Sequence, residues 1–285
     1  MFEQVEAFHR PTSVREAVRL LALGKGRARI LAGGTDLVVE GDSKVRSLID
    51  ITRSGLNYIR PNSAGLAIGA ATTMTELEES RPIAKLAGGI LARAAHTCGS
   101  VQIRGAATVG GNIANGSPAA DLVTPLLALD AAVVVADAKG RRKMPLAAYL
   151  ASQTQRPHIL VEVIVPVVKA TRAGWSFQKL GRTQLDISLV NAAVGLQVDR
   201  PGRVVFARIA VGAVAPTVIR AVAAESALLG SHLDRIAVAA AADLVTEAVN
   251  PISDVRASAE YRREMAVVLV RRALEECALE AGCTL

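Results

Sequence analysis

Glycines and small polar residues crowd one segment of the chain, residues 108–121, which reads TVGGNIANGSPAAD. Gly110 and Gly111 are adjacent, and Asn112 and Ser117 follow within a few residues. Glycine permits positive φ angles and a close approach of the main chain to a ligand, and successive N–H groups then form a concave nest for phosphate oxygens. The segment is therefore predicted to bind a polyanion.

A second segment of the same kind, Ala32-Gly33-Gly34-Thr35-Asp36-Leu37, follows an apolar run. On local sequence alone, Gly33-Gly34 fits an ordinary bend after a strand as well as it fits a ligand loop. Neither segment matches the G-x-G-x-x-G or the P-loop pattern, which removes the main support for a Rossmann or a nucleoside-triphosphatase interpretation. Two such segments in one chain suggest one long diphosphate ligand.

Two carboxylates lie at or just beyond the glycine segments, Asp36 and Asp121. A carboxylate near phosphates is repelled unless it points elsewhere, so each residue either caps a helix or accepts hydrogen bonds from ligand hydroxyls. We expect the cap for Asp36 and the ligand contact for Asp121. Lys179 adjoins a strand-like stretch, and its local sequence is typical of a solvated lysine.

Other kinds of chemistry find little support in the sequence. The histidines are isolated, with no second ligand at metal-binding spacing. Three cysteines, Cys98, Cys277 and Cys283, cannot build a disulfide framework and match no zinc or iron–sulfur spacing. No serine lies in a G-x-S-x-G elbow. We therefore predict no catalytic residue and no metal site in this chain.

Composition indicates a folded protein that carries a positive charge. The 285 residues are 51% hydrophobic but only 3% aromatic, so the core must be built from Ala, Val, Leu and Ile. The net charge of +7 comes from scattered Lys and Arg, which favours an anionic cofactor or an acidic partner over nucleic acid. With no apolar run long enough to span a bilayer and no signal-peptide pattern at the start, we expect a cytoplasmic location and no membrane span.

The hydrophobic pattern predicts an α+β protein of two domains, residues 1–170 and 171–285. The first domain has lobes at about 1–55 and 56–170, and it starts with a capping box at Ser13 and a helix that Gly24 ends. Its later predicted elements are strands at 29–32, 47–51, 66–70, 131–136 and 159–165 and one long helix at 83–96.

The polar stretch at 169–174 marks the predicted domain boundary. Beyond it, a three-stranded sheet is expected from 175–180, 187–198 and 204–214, with the turn Arg200-Pro201-Gly202 before the third strand. Three helices should follow at 218–229, 233–249 and 259–280. Strands before helices within one segment are typical of an α+β domain.

Several motifs occur together in a fixed order. They are Ala32 to Leu37, then Gln102-Ile103-Arg104 with residues 108–121, then Phe177-Gln178-Lys179 with residues 186–191 (DISLVN), and finally residues 254–262 (DVRASAEYR). In this order the motifs resemble the FAD-binding medium subunit of molybdenum hydroxylases, the group of xanthine dehydrogenase and aerobic-type carbon monoxide dehydrogenase. The resemblance extends over nearly the whole chain.

The resemblance implies a two-lobed FAD-binding domain of the vanillyl-alcohol oxidase and p-cresol methylhydroxylase type, followed by a smaller C-terminal α+β domain of the carbon monoxide dehydrogenase flavoprotein type. By analogy, residues 30–37 wrap the pyrophosphate and ribityl groups, and residues 108–112 supply a second set of contacts. Cys98 stands where some relatives have an aromatic contact, and Gly105 replaces a common asparagine. The implied FAD-binding residues are Ile30, Leu31, Ala32, Gly33, Gly34, Thr35, Asp36, Leu37, Thr108, Val109, Gly110, Gly111, Asn112, Ser117, Asp121, Leu160 and Lys179.

The resemblance also implies partners. In such a heterotrimer a large subunit binds molybdopterin, a small subunit carries two [2Fe-2S] clusters, and the medium subunit passes electrons through FAD to an acceptor such as NAD or a quinone. The cysteines of this chain do not have the spacing of iron–sulfur ligands, which agrees with this division of the cofactors among subunits. Two alternatives stay open: a self-contained flavin oxidoreductase of the same FAD-binding fold, and a non-catalytic nucleotide-binding module.

Overall fold

A computed structural model describes residues 4–152, 157–167, 172–200 and 202–285. The first residues of the chain, Pro201 of the predicted turn, and part of the predicted boundary at 169–174 lie outside these ranges. The strands are β1 (Ala7–His9), β2 (Ala28–Leu31), β3 (Ser47–Asp50), β4 (Ile59–Asn62), β5 (Gly65–Gly69), β6 (Ala132–Asp137), β7 (Gly140–Pro145), β8 (Ile159–Pro166), β9 (Ala173–Leu180), β10 (Val190–Val198), β11 (Val204–Gly212) and β12 (Ile219–Arg220).

Most helices are short. They are α1 (Val14–Leu23), α2 (Leu37–Glu40), α3 (Met74–Glu79), α4 (Arg81–Lys85), α5 (Ile90–His96), α6 (Val101–Ala106), α7 (Val109–Ala114), α8 (Val123–Ala128), α9 (Leu146–Ser152), α10 (Val222–Leu228), α11 (Arg235–Asp243) and α12 (Ala259–Glu280). Two 3-10 turns, Ala87–Gly89 and Leu244–Glu247, adjoin α5 and α11.

The chain divides into two compact units that interleave along the sequence. The first unit comprises Met1–Leu77, Ser100–Asn115 and Ala131–Pro166, and the second comprises Glu78–Gly99, Gly116–Asp130 and Val167–Leu285. Each unit draws on distant parts of the sequence, so neither corresponds to one continuous stretch. The predicted domain boundary near residue 170 stays a prediction.

Two sheets form the framework of the first unit. The smaller is parallel, in the order β1-β3-β2, and the larger is antiparallel, in the order β4-β5-β8-β6-β7. Helix α1 buries Val14, Ala17 and Leu21 in a cluster with Ile49 of β3 and Val161 of β8. The predicted cap is present, because the Ser13 hydroxyl accepts a hydrogen bond from the N–H of Glu16. This packing fixes β2, whose end leads directly into the first glycine segment.

One antiparallel sheet with the order β12-β11-β10-β9 forms the centre of the second unit. Helix α12 packs on β9 and β10, and its buried side chains join the apolar residues of β10 and β11 in one core. Gly174 lies so close to this helix that an added Cβ would be 2.1 Å from the carbonyl oxygen of Cys277. The α+β class is therefore as the sequence predicted, and α12 has the predicted bounds.

Three predicted helices are wrong in detail. Residues 83–96 form α4, a 3-10 turn and α5, because Gly88 and Gly89 adopt φ angles of +60° and +75° that interrupt the helix. Residues 218–229 begin with β12, which adds a fourth strand to the sheet, and the helix starts only at Val222. Residues 233–249 contain α11 and a separate 3-10 turn.

Candidate functional site: two glycine segments and a buried ion pair

The first glycine segment leaves β2 with its main-chain donors unused. Gly34 adopts a φ of +70°, a conformation that glycine tolerates without strain. In the ranges that the structure describes, the N–H groups of residues 33–37 donate to no protein acceptor. Successive unpaired amides around a positive-φ residue are what an anion nest requires. The geometry of this segment is therefore suited to a polyanion, and FAD binding by residues 30–37 stays a prediction.

Asp36 does not cap α2, contrary to our expectation. The residue stands at the cap position, but its side chain makes no capping hydrogen bond, and its φ and ψ of −97° and −52° are already helical. A capping residue needs an extended backbone to turn its side chain back onto the first amides. The exposed Asp36 carboxylate thus keeps the alternative role, acceptance of hydrogen bonds from ligand hydroxyls.

Gly110 and Gly111 of the second glycine segment do not form a nest. Gly110 and Gly111 have no positive φ and belong to α7, which Thr108 caps. The N–H of Gly110 donates to the carbonyl oxygen of Ala70 at 2.8 Å, and that of Gly111 donates to Thr108 Oγ1 at 3.1 Å. These amides are therefore already paired within the protein. The prediction of bare N–H groups at 110 and 111 is wrong.

Close packing explains why glycine stands at these positions. An added Cβ at Gly110 would lie 2.6 Å from Ala70 Cβ, and one at Gly111 would lie 2.9 Å from the capping Thr108 Oγ1. On the first segment, an added Cβ at Gly33 would lie 1.8 Å from the carbonyl oxygen of Ala106, at the end of α6. The first glycine segment thus meets the chain just before the second, and this junction and residues 108–115 lie in the first unit.

Asn112 has a buried polar atom that could accept a hydrogen bond from a ligand. Its Oδ1 is buried and has no hydrogen-bond partner among the described residues. A buried carbonyl oxygen left without a partner costs about 1–3 kcal/mol, so such atoms generally have a partner in the functional state. A flavin nucleotide carries hydroxyl and N–H donors that suit this acceptor. The residues of the first unit therefore fit such a cofactor.

A buried ion pair lies in the second unit. Lys179 Nζ is 2.7 Å from Asp121 Oδ2 and donates to the carbonyl oxygen of Thr97 at 2.8 Å. Both charged side chains are only 8% exposed. The interpretation of Lys179 as a solvated lysine is therefore wrong, because its partners at 97 and 121 are distant in sequence.

Polar side chains donate hydrogen bonds to the other carboxylate oxygen of Asp121. Oδ1 accepts from Ser188 Oγ at 2.5 Å and from Asn191 Nδ2 at 3.3 Å. Thr124 Oγ1 in turn donates to Asn191 Oδ1 at 2.6 Å. Burial raises the pKa of Asp121 above its ordinary value, while the charge of Lys179 and the hydrogen bonds offset part of that increase.

The remaining predicted residues are distributed over both units. Leu160 is buried on β8, and Val109 is buried at the start of α7, both in the first unit. Ser117 is in the second unit, where its hydroxyl accepts from the N–H of Ala119 at 3.3 Å. Ser188 and Asn191 belong to the motif at residues 186–191, but the sequence predicts no role for them because their contact with Asp121 depends on the tertiary fold.

A groove with a volume of about 960 Å³ lies elsewhere in the first unit, between α1 and the turn joining β6 to β7. No predicted FAD-binding residue lines it. Among the described residues, His, Cys, Asp and Glu nowhere form a group of three suited to a metal ion. Within the same residues, every helix is too short or too polar to cross a membrane.

Comparison with known proteins gives two family matches that together extend over most of the chain. Residues 2–168 match the family described as "FAD binding domain in molybdopterin dehydrogenase". Residues 175–277 match the "CO dehydrogenase flavoprotein C-terminal domain".

Individual relatives agree with these matches. The chain is 36% identical to the 6-hydroxypseudooxynicotine dehydrogenase complex subunit alpha of Paenarthrobacter nicotinovorans, over 92% of this chain and 90% of that protein. It is 35% identical to the carbon monoxide dehydrogenase medium chain of Hydrogenophaga pseudoflava, over 94% and 95%. A solved structure of carbon monoxide dehydrogenase from the latter organism, lacking the Mo-pyranopterin moiety of its molybdenum cofactor, superposes with a TM-score of 0.92 over both complete chains.

Proposed function

The chain belongs to the FAD-binding medium subunits of the molybdenum hydroxylase family, and we propose that it relays electrons within such a complex. It is an oxidoreductase subunit with an FAD-binding domain, and in these complexes molybdopterin and iron–sulfur clusters belong to other subunits. The proposed relay takes electrons from the [2Fe-2S] clusters of a small partner subunit. It delivers them to an external acceptor such as NAD or a quinone.

The unpaired amides of residues 33–37 carry the proposal. They offer donors for a diphosphate where β2 ends, and the buried Asn112 Oδ1 offers an acceptor in the same unit. A mononucleotide has no diphosphate, so it would not account for so many neighbouring N–H donors. The first glycine segment therefore holds the diphosphate in this proposal, and Asn112 contributes a hydrogen bond to the cofactor.

The chain's own residues bind and orient the cofactor. Bound FAD supplies the ability to exchange electrons singly with a cluster and in pairs with an acceptor. Residues 33–37 fix the diphosphate, and Lys179 presents a positive charge in the second unit. No side chain is assigned a proton-transfer role, in keeping with an electron relay.

Purification from the native host tests this proposal. The expected result is a complex in which this chain co-elutes with chains that contain molybdenum and iron, and in which the flavin is FAD. Isolation as a single chain that oxidises or reduces its own substrate would instead identify a self-contained flavin oxidoreductase. A chain that binds nucleotide but shows no flavin spectrum would identify a non-catalytic module.

A further inference from the structure

Strand β7 is an exposed edge of the larger sheet in the first unit. It stands last in the order β4-β5-β8-β6-β7, and all its residues except Met144 are exposed. Among the described residues, no N–H or carbonyl group of β7 makes a main-chain hydrogen bond outside the sheet. Because an edge strand directs alternate main-chain groups away from its neighbour, one row of donors and acceptors is left for another strand.

Basic side chains follow one another along this edge strand. Arg141, Arg142 and Lys143 are consecutive, and Nη1 of Arg142 lies 3.7 Å from Asp137 Oδ2. The described residues provide no ionic partner for Arg141 or Lys143. Like charges that face each other across two strands repel, so this run opposes pairing of β7 with the same strand of a second copy. The same charges attract an acidic strand.

The groove of about 960 Å³ between α1 and the β6–β7 turn adjoins the first residues of β7. It is lined by four basic side chains, those of Arg15, Arg19, Lys139 and Arg141. The described residues give these four side chains no hydrogen bond and no ion pair. Both carboxylates that line the groove accept main-chain hydrogen bonds, Glu16 from Thr12 at 3.1 Å and Asp137 from Lys139 at 2.8 Å. Unpaired positive charge therefore lies beside an unpaired strand edge.

Apolar side chains of α1 also line the groove. They are Val18, Ala22 and Leu23, and Leu23 is 65% exposed. The described residues around the groove include no aromatic ring on which a nucleic acid base could stack. A peptide suits this surface better, because its main chain can pair with β7 while its side chains provide both carboxylates and apolar groups.

We propose that β7 and the adjoining groove bind an extended acidic segment of a partner protein, which adds a strand to the sheet at β7. The carboxylates of that segment face the unpaired cations of the groove and of β7. The basic side chains are exposed, so the attraction should guide association and should weaken as the salt concentration rises. This surface contains none of the predicted FAD-binding residues, and the inference goes beyond the proposed function.

Fluorescence anisotropy with the full-length chain tests the proposal. The probe is a labelled peptide of alternating Glu and Val residues, which favours an extended strand with one acidic face. The double variant Arg19→Glu, Arg141→Glu should bind the probe about tenfold more weakly than the parent, because two attractions become repulsions. Arg271→Glu, Arg272→Glu on the exposed surface of α12 is the matched control and should bind the probe as the parent does.

Two N-methylated forms of the probe test strand pairing separately from charge. In an added strand the N–H groups of alternate residues face β7. Methylation of one alternate set, either all Glu or all Val residues, should therefore abolish binding, whereas methylation of the other set should preserve it. A peptide held by charge alone would tolerate both modifications.

Three results would overturn the inference. One is equal affinity of the parent and the Arg19→Glu, Arg141→Glu variant for the probe, and another is undiminished binding of both N-methylated forms. The third is tighter binding of a single-stranded oligonucleotide or of phosphatidylserine vesicles than of the probe, which would identify a general anion-binding surface. FAD titration of the same variants should match the parent, so failure of this inference leaves the proposed function intact.

Discussion

Gly33 and Gly34 stand side by side but are required for different reasons. Gly34 adopts a positive φ, whereas Gly33 allows the main chain to approach the carbonyl oxygen of Ala106. The two glycine segments differ in the same way, because Gly110 is needed for close packing against Ala70. At the scale of single residues, glycine content alone therefore does not indicate which segment offers its amides to a ligand.

Gly33→Ala should disrupt the junction of the two segments. The new Cβ would lie 1.8 Å from a main-chain oxygen, so the backbone itself must shift. We expect loss of retained FAD, measured as flavin released per chain after denaturation. Gly105→Ala on α6 is the matched control, because an added Cβ there has no neighbour within 4 Å, and alanine stabilises a helix by roughly 0.5–1 kcal/mol relative to glycine. Full FAD content in Gly33→Ala would contradict the assignment of this junction to the cofactor site.

Asn112→Leu should affect the flavin-free and FAD-bound forms in opposite ways. Without ligand, the change removes a buried oxygen that has no protein partner among the described residues, so the free energy of unfolding should stay the same or rise. FAD binding should weaken on the order of tenfold, which corresponds to about 1.4 kcal/mol. Chemical denaturation and FAD titration of the same variant measure the two effects. Unchanged FAD affinity would show that Asn112 Oδ1 is not a cofactor contact.

Sequence reasoning found the residues of the site more readily than their contacts. The ordered motifs identified the family and both glycine segments. They did not reveal that Thr72 and Ala70 accept the hydrogen bonds of Val109 and Gly110, because those acceptors come from a separate part of the chain. The burial of Lys179 likewise depends on residues distant in sequence. Local patterns thus predicted which residues matter, and the tertiary fold decides which of their polar atoms are available.

At the scale of secondary-structure elements, capping residues and glycines explain which predicted helices were right. Helix α12 has the predicted bounds because Ser258 caps it through the N–H of Tyr261 at 3.1 Å and no glycine interrupts it. The segment at 83–96 is rich in alanine, which favours the predicted helix, but Gly88 and Gly89 adopt positive φ angles and divide it. Strand β12 is only two residues long, too short to produce a recognisable alternation.

The start of α12 should show a pH-dependent contribution to stability. N–H groups of Arg256 and Ala257 and the guanidinium of Arg262 hold the pKa of Asp254 well below its ordinary value. A depressed carboxyl pKa stabilises the fold above the unfolded-state value of roughly 3.9, and this contribution is lost as the pH falls toward the folded-state pKa. Asp254→Asn should therefore lower the free energy of unfolding more at neutral pH than at about pH 3.

Urea unfolding at several pH values measures this difference. Asp243→Asn at the exposed end of α11 serves as the control, since its side chain makes no hydrogen bond with the described residues. An Asp254→Asn effect that is the same at both pH values would contradict the linkage. It would then reflect lost packing or turn geometry instead of the charge.

At the scale of the whole molecule, two interleaved units share the predicted cofactor residues. Residues 30–37, 108–112 and Leu160 belong to the first unit, whereas Ser117, Asp121 and Lys179 belong to the second. A ligand that binds only the folded chain should stabilise it. Because the donors of the first segment suit a diphosphate, FAD should do so more strongly than FMN.

Thermal unfolding of the flavin-free chain checks this preference. At about 100 times its dissociation constant, a ligand that binds only the folded state adds roughly 2.7 kcal/mol to the free energy of unfolding. FAD should therefore raise the melting temperature clearly, and FMN at the same concentration should raise it less. Equal shifts would argue against contacts to the adenosine side of the diphosphate.

In the proposed complex, this chain receives electrons through partner subunits. The most direct test of this proposal is anaerobic addition of an oxidisable substrate to the native complex while flavin absorbance is followed, with the isolated FAD-loaded chain treated in the same way. Reduction of the flavin in the complex and none in the isolated chain is the predicted result. Reduction of the flavin by that substrate in the isolated chain would contradict the account, because the chain would then oxidise the substrate without its partners.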